Sequence, residues 1–596
     1  MRRFAERHIG LVMVFAVAAL AGQERAPARP ALEGFDAFVS AALKDWKLPG
    51  AAVAVVQDGK VILSKGYGFR DAKKAAPVTP KTLFAIGSIT KSFTVTSLGI
   101  LVDEGKLDWD KPVREYVPGF RLYDQVATER MTPRDLVTHR SGLPRHDSLW
   151  YNSTFSRKEL FERLRYLEPS RDFRSTYQYN NLMFVTAGYL LGELTSSTWE
   201  DFVRQRIWNR IGMQGSNFSV RDSQKSSDFA LPYVKVKEEV KEVPFRVIDD
   251  IGPAGSINSN VEDMTRYLLM HMNKGRSGET QILSESNILQ MQAPQMVTPA
   301  GPLRWSELGH SSYGMGWAIS AYRGHKVVSH GGAIDGFVAL VSFLPQDKIG
   351  MVILTNLSGS PVATVLSYNL FDRLLGLDQV GWSERFQKDR QAGEASEQEA
   401  KKQGFTTRRA GTRPSHEPRE YAGEYEHPGY GIVKVALDRD ELKMTYNRIT
   451  GSLKHFHYDY FEVAEDPLIP FQRMKIHFDT DVEGEIGSVS IPLETNVKDI
   501  VFTRRPEKLA RSVLATLAGQ YELAGTTITM SLREGEKLFI EAPGQQIREL
   551  VPVRGLLFRV SGLSGFSVEF KKDASGATTE LILYQPGGTF VVKRKP

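Results

Sequence analysis

The chain of 596 residues has no cysteine. Disulfides, thiolate nucleophiles, thiolate metal ligands and lipidation at an N-terminal Cys are therefore excluded. Charge of one sign is also missing: 76 Lys and Arg stand against 70 Asp and Glu, a formal net charge of +6. No basic run interleaved with aromatics occurs, so nucleic acid is not an expected partner. There is no G-x-x-x-x-G-K-[ST] loop or dinucleotide fingerprint, and no cofactor is expected. His455 and His457 lie two apart in a strand-like run without a third ligand nearby, so no metal is expected either. Long apolar runs are absent as well. The one over residues 9–21 falls short of the roughly 17–25 residues that span a bilayer. Arg2, Arg3 and Arg7 precede it and Ala19-Leu20-Ala21 ends it, the pattern of a secretory signal peptide. Residues 1–21 are thus expected to be removed, leaving a periplasmic or extracellular protein.

What is present is globular: 41% hydrophobic and 24% charged residues, in a chain too long for one core. An amphipathic helix is expected over 34–46. Apolar runs at 51–56 and 61–65 flank Gln57-Asp58-Gly59-Lys60, a hairpin signal. From Ser88, the apolar positions Ile89, Phe93, Leu98 and Leu101 predict a helix closed by Gly105. Helical sequence continues to about residue 275. Strands are then expected at 326–329, 337–344 and 351–355, and a closing helix at 361–375. Strands at both ends with helices between them predict an α+β domain over 30–380, with one antiparallel sheet shared by its ends. Residues 381–417 are polar and charged, a linker or a solvated helix.

The remainder is strand-rich and duplicated. Gly423-Glu424-Tyr425 matches Gly519-Gln520-Tyr521, Glu441-Leu442 matches Lys537-Leu538, and Phe461-Glu462-Val463 matches Phe558-Arg559-Val560. A period of about 90 residues divides the tail into β units at 418–506 and 514–596. They would form two small barrels or one closed barrel.

Three motifs carry chemistry. In Ser88-Ile89-Thr90-Lys91 the Ser and Lys share a helical face, so the amine reaches the hydroxyl and, when neutral, can take its proton. In Tyr179-Asn180-Asn181, Tyr179 could relay a proton and Asn181 bind a substrate carbonyl; alone, the run also reads as an Asn-capped helix entry. In His330-Gly331-Gly332-Ala333, at the end of a strand, the glycines would let a substrate backbone approach closely, which makes Gly332 and Ala333 candidate substrate contacts. The Ala333 N–H can complete an oxyanion hole with that of Ser88. Alone, this third run reads rather as a strand-end turn with a surface histidine.

In this order the motifs resemble the serine β-lactamase and penicillin-binding-protein superfamily, in the branch of class C β-lactamases, D-Ala-D-Ala carboxypeptidases, D-aminopeptidases and family VIII esterases. S-x-x-K falls at Ser88 and Lys91, Y-x-N at Tyr179 and Asn181, and H-G-G at His330 stands where β-lactamases carry K-T-G. Flanking stretches at 101–107, 136–144, 253–257 and 313–317 look similar too. The resemblance spans about residues 34–376; the β tail resembles, more loosely, the lipocalin-like domains fused to such hydrolases.

The resemblance implies an acyl-enzyme on Ser88, with Lys91 and Tyr179 as general bases and Asn181 on the substrate amide. His330 then stands where a cation would bind a substrate carboxylate or assist proton transfer. Histidine there favours a peptidase, amidase or esterase acting on small peptides, amides or esters, with a β-lactamase or carboxypeptidase as the alternative. A reading of another class is a binding module whose hydrolase domain is only a scaffold. The β tail is a candidate cap on the active site or contact between copies of the chain.

Overall fold

The computed structural model describes residues 31–299, 304–402, 407–466, 469–482, 484–534 and 536–596. The expected signal peptide lies outside them. Helix α1 (Phe35–Asp45) buries Phe35, Val39, Ala42 and Leu43, a stripe at helical spacing. Strands β1 (Gly50–Gln57) and β2 (Lys60–Asp71) form the expected hairpin, and both Asp58 and Gly59 have positive φ, as a tight two-residue turn requires.

Among the described residues the main sheet has nine strands. The others are β3 (Ala76–Pro77), β4 (Met296–Val297), β5 (Ser312–Tyr313), β6 (Ala318–Tyr322), β7 (His325–Ile334), β8 (Phe337–Leu344) and β9 (Ile349–Thr355). Their order is β4-β5-β6-β7-β8-β9-β1-β2-β3, so the N- and C-terminal strands of the domain meet at the β9–β1 pair, as expected. The central strands are apolar without alternation because both sheet faces are covered. In β1, Val53 and Val55 face α1 and the closing helix (Val362–Leu375), while Ala52, Ala54 and Val56 face the helical subdomain.

The polar segment after residue 380 is a helix, Trp382–Lys402, anchored at its start: Trp382 is buried and its indole N–H donates to the Tyr322 hydroxyl at 3.0 Å. The tail then forms two closed eight-stranded barrels, resolving the two arrangements left open by the sequence. Each closes on itself through its first and last strands, Tyr425 opposite Arg504 and Tyr521 opposite Arg594. The duplication extends to single atoms. The Tyr425 and Tyr521 hydroxyls each donate to the carbonyl four residues back, both at 2.8 Å. Arg504 donates to the carbonyls of Glu420 and Ala422, and Arg594 to those of Thr516 and Ala518. The apolar core of the first barrel runs on into that of the α+β domain, whereas the second barrel has a separate core.

Candidate active site

Ser88 occupies a single 3-10 turn, Gly87–Ile89, that runs into helix α2 (Thr90–Asp103). Two glycines bring this turn against β7. A Cβ on Gly332 would lie 1.8 Å from the Ile86 carbonyl oxygen, and Gly87, at φ +51°, would put one 2.7 Å from the Ala333 nitrogen. Gly332 therefore serves backbone-to-backbone contact inside the protein, where the sequence suggested approach of a substrate. The same contact sets the backbone of Gly87-Ser88 against that of Gly332-Ala333.

Lys91 is completely buried. Its Nζ lies 2.7 Å from Asn181 Oδ1, 2.7 Å from the Ala254 carbonyl oxygen and 3.0 Å from Ser88 Oγ. Burial pushes its pKa well below the ordinary lysine value, and the nearby Arg145 guanidinium adds to this against the opposing pull of Asp147. A neutral amine has two N–H bonds and one lone pair. The Asn181 and Ala254 oxygens take the two N–H bonds, and the lone pair is left for the Ser88 hydroxyl. The aromatic faces of Tyr179 and Phe184, 4.9 and 5.4 Å from Nζ, complete the enclosure.

The Tyr179-Asn180-Asn181 run enters a helix, as one of its two readings had it. Asn180 is the cap, its side chain accepting the Met183 N–H at 3.0 Å. Asn181 is the first residue of the helix that follows (Asn181–Thr195), which leaves its amide free to reach Lys91. The Tyr179 hydroxyl is hydrogen-bonded to Ser88, and desolvation raises its pKa, so it keeps its proton.

His330 lies within β7, with Gly331, Gly332 and Ala333 still paired to β8, and not past the strand's end. Its ring is buried. Nδ1 lies 2.6 Å from the Gly331 carbonyl oxygen and so carries the proton; Nε2 then accepts from the Tyr313 hydroxyl at 3.0 Å. Burial pushes its pKa down to about 3. The cation expected at this position is thus a neutral imidazole with both nitrogens engaged.

The positive group in the cleft is one that sequence reasoning passed over. Arg145 lines the cavities on both sides of Ser88, of about 380 and 510 Å³. Its Nε donates to Asp147 at 2.6 Å, and its guanidinium stacks 5.0 Å from the Tyr179 ring. Asp147 also accepts from Asn181 Nδ2 at 2.9 Å and from the Trp150 indole at 2.7 Å. Arg145-His146-Asp147 directly follows the stretch at 136–144 that resembles the superfamily, but nothing local marks it as part of a site.

The first barrel holds this segment in place. His146, between Arg145 and Asp147, is buried in the left-handed region at φ 48°. Its N–H donates to Glu494 at 2.8 Å, and its ring nitrogens lie 2.6 Å from the Tyr430 hydroxyl and 3.0 Å from the Glu168 carbonyl oxygen. Asn447, also from the barrel, donates to the Ser148 and Tyr151 carbonyls and accepts from the Asn152 amide.

Comparison with known proteins places this geometry among relatives. The family model described as Beta-lactamase matches residues 35–374. A second, described as a domain of unknown function (DUF3471), matches residues 407–504, the first barrel. An unguisins hydrolase of Aspergillus campestris is 30% identical over 431 residues, covering 69% of this chain and 79% of that protein. One from Aspergillus violaceofuscus is 29% identical over 443 residues, 70% of this chain and 78% of that protein. The octameric penicillin-binding protein homologue from Pyrococcus abyssi shares the fold, with a TM-score of 0.52 and 22% identity over 79% of this chain and all of that one.

Proposed function

Since the chain belongs to the Beta-lactamase family of hydrolases, we propose that it is an exported serine hydrolase that cleaves amide or ester bonds through an acyl-enzyme on Ser88. The observation that carries this reading is the buried amine of Lys91, held by Asn181 and the Ala254 carbonyl within 3.0 Å of the Ser88 hydroxyl.

In the proposed cycle Ser88 Oγ attacks the substrate carbonyl carbon as its proton passes to Lys91 Nζ. The oxygen of the tetrahedral intermediate takes the negative charge, facing the N–H groups of Ser88 and Ala333. Tyr179, protonated and bonded to Ser88, relays the proton to the leaving nitrogen or oxygen as the bond to carbon breaks. Water then adds to the ester, its proton returns to Lys91, and Ser88 leaves with a proton restored. By the usual scale of such effects the base supplies ~10²–10⁴-fold and each oxyanion donor ~10²–10³-fold.

A neutral His330 favours amide and ester substrates over the β-lactamase or carboxypeptidase alternative, in which a fixed cation stands at this place in the resemblance. The scaffold reading is disfavoured by the completeness of the Lys91 environment. Export rests on residues 1–21; no helix among the described residues is long and apolar enough to cross a membrane.

The test is mass spectrometry and turnover assays on residues 22–596 with a fluorescent penicillin, a p-nitrophenyl ester and a D-amino-acid amide, each beside Ser88→Ala. Ester or amide turnover that Ser88→Ala abolishes is the expected result. Penicillin turnover with a penicilloyl adduct on Ser88 would move the assignment to the alternative. Neither adduct nor turnover with any of the three would overturn it.

A further inference from the structure

A cavity of about 350 Å³ that the proposed cycle leaves unused lies behind one wall of the cleft. The wall is Asp147 and Tyr151, which line both spaces. The opposite side comes from the first barrel: Tyr446, Ile449, Phe471 and Met474. Polar groups around it are engaged elsewhere. The Asn447 amide donates to loop carbonyls, the Tyr446 hydroxyl donates to the Tyr430 carbonyl at 3.2 Å, and the Tyr151 hydroxyl donates to Asp335 at 2.6 Å. What faces the space is aromatic and aliphatic, at the lower end of the size range of ligand pockets.

Its distance from the chemistry is bounded. Asp147 connects to Ser88 through Asn181 and Lys91 by hydrogen bonds of 2.9, 2.7 and 3.0 Å. That path is no longer than about three residues of extended peptide. Substrate chain leaving Ser88 along this wall therefore reaches Asp147, at the near rim of the cavity, within about three residues, from where a large side chain extends toward the barrel.

Resting on the reading of Ser88 as nucleophile, we infer that the first barrel supplies a subsite for a large apolar side chain of the substrate, two or three residues from the scissile bond. The substrate class this names is a peptide of several residues, not a single amino-acid amide. The subsite is formed by both domains, so the barrel takes part in substrate selection.

The experiment scans N-acetyl pentapeptide amides carrying Phe, Leu or Asp at each position in turn, with full-length protein. The wild type is expected to favour Phe or Leu over Asp by about 10- to 100-fold in kcat/KM at one position two or three residues from the cleaved bond, with the difference in KM. Met474→Glu and Ile449→Trp, one charging and one filling the cavity, are expected to reduce that ratio to near one. Each ratio is taken within one variant, so partial loss of folded protein does not alter it. No apolar preference at those positions, or a preference that survives in both variants, overturns the inference. Calorimetric binding of the same peptides to Ser88→Ala reads the subsite without catalysis. Preference in binding without turnover in the wild type would sink the nucleophile reading and leave the subsite standing.

Discussion

Glu494 accepts the backbone N–H of His146 at 2.8 Å, and both neighbours of His146 line the cleft around Ser88. Residues 348 positions apart are thereby joined at the edge of the candidate active site. A buried non-glycine residue in the left-handed region costs about 1–3 kcal/mol and persists only where its surroundings hold it. Here the holding groups are Glu494 and Tyr430. Glu494→Ala leaves the His146 N–H unpaired, a loss of about 1–3 kcal/mol, and frees Arg145 and Asp147 to shift. We expect kcat/KM to fall by about tenfold or more while the main thermal transition stays cooperative and drops by only a few degrees, roughly 2–4 °C per kcal/mol or less. Steady-state kinetics on a p-nitrophenyl ester and calorimetric melting measure the two separately. Unchanged kinetics would mean that the barrel does not act through this contact.

Lys91 dictates the acid side of the pH–rate profile. Its pKa is lowered by burial, so the amine is neutral above that lowered value and becomes protonated as pH falls through it. Activity should therefore decline toward acid pH and show no gain on passing the ordinary lysine pKa. Lys91→Arg places a permanent cation at the position and should cost at least ~10²–10⁴-fold in kcat. A profile rising only above the ordinary lysine value would remove the base role from Lys91.

His330, by contrast, should be silent in that profile. With a pKa pushed down to about 3, its ring is neutral through the range of about pH 5–8 in which histidines ordinarily titrate. Nitrogen-15 NMR of the ring should show the Nδ1–H tautomer throughout, because Gly331 accepts that proton and Tyr313 donates to Nε2. An imidazolium signal appearing near the ordinary histidine pKa would restore the expected cation.

Another buried histidine sets an acid limit on stability. His271 is packed edge-on against Tyr267 and Trp317, and neither ring nitrogen has a partner among the described residues. Burial pushes its pKa down to about 3 from 6.5. Between those two values the unfolded chain binds a proton that the folded chain does not, so stability falls as pH drops through that window. His271→Leu removes the proton-binding group from both states. Melting temperatures from pH 7 downward should therefore fall less steeply for the variant than for the wild type. Parallel curves would show that His271 gains a proton without unfolding.

What could be read from the residues was local. Ser88 and Lys91 were legible because three residues along a helix bring two side chains onto one face, whatever packs around them. The tail's duplication was legible because turns and strand ends repeat; its closure into two barrels was not. Closure depends on Tyr425 finding Arg504 within its own unit, and sequence patterns mark strands without naming partners. His330 was legible as a residue of a strand; its burial and its contact with Tyr313 were not, because both depend on how the strands pair. Arg145 and Asp147 were missed for a similar reason. Their position depends on Glu494, Tyr430 and Asn447, hundreds of residues further along the chain, and a Pro-Arg-His-Asp run carries no mark of that dependence.

The two barrels differ in how they meet the rest of the molecule, and this predicts different consequences of removing them. The first shares its apolar core with the α+β domain and grips the 146–153 segment through buried and half-buried hydrogen bonds. The second has its own core and meets the first through charged pairs at the surface: Arg554 with Glu420 at 2.6 Å and with Glu485 at 3.2 Å, and Arg559 with Asp481. The arginines of these pairs stay 41% exposed, so solvent screens each pair and its contribution is on the order of 1 kcal/mol. A chain ending after residue 506 should thus keep ester hydrolysis within a factor of about two, since nothing it loses touches the cleft. A chain ending at residue 415 loses Glu494, Tyr430 and Asn447 together, and its hydrolysis should fall at least as far as that of Glu494→Ala. Equal activity in both truncations would show that the α+β domain orders Arg145 and Asp147 unaided. Equal loss in both would show that the second barrel acts on the cleft through the first.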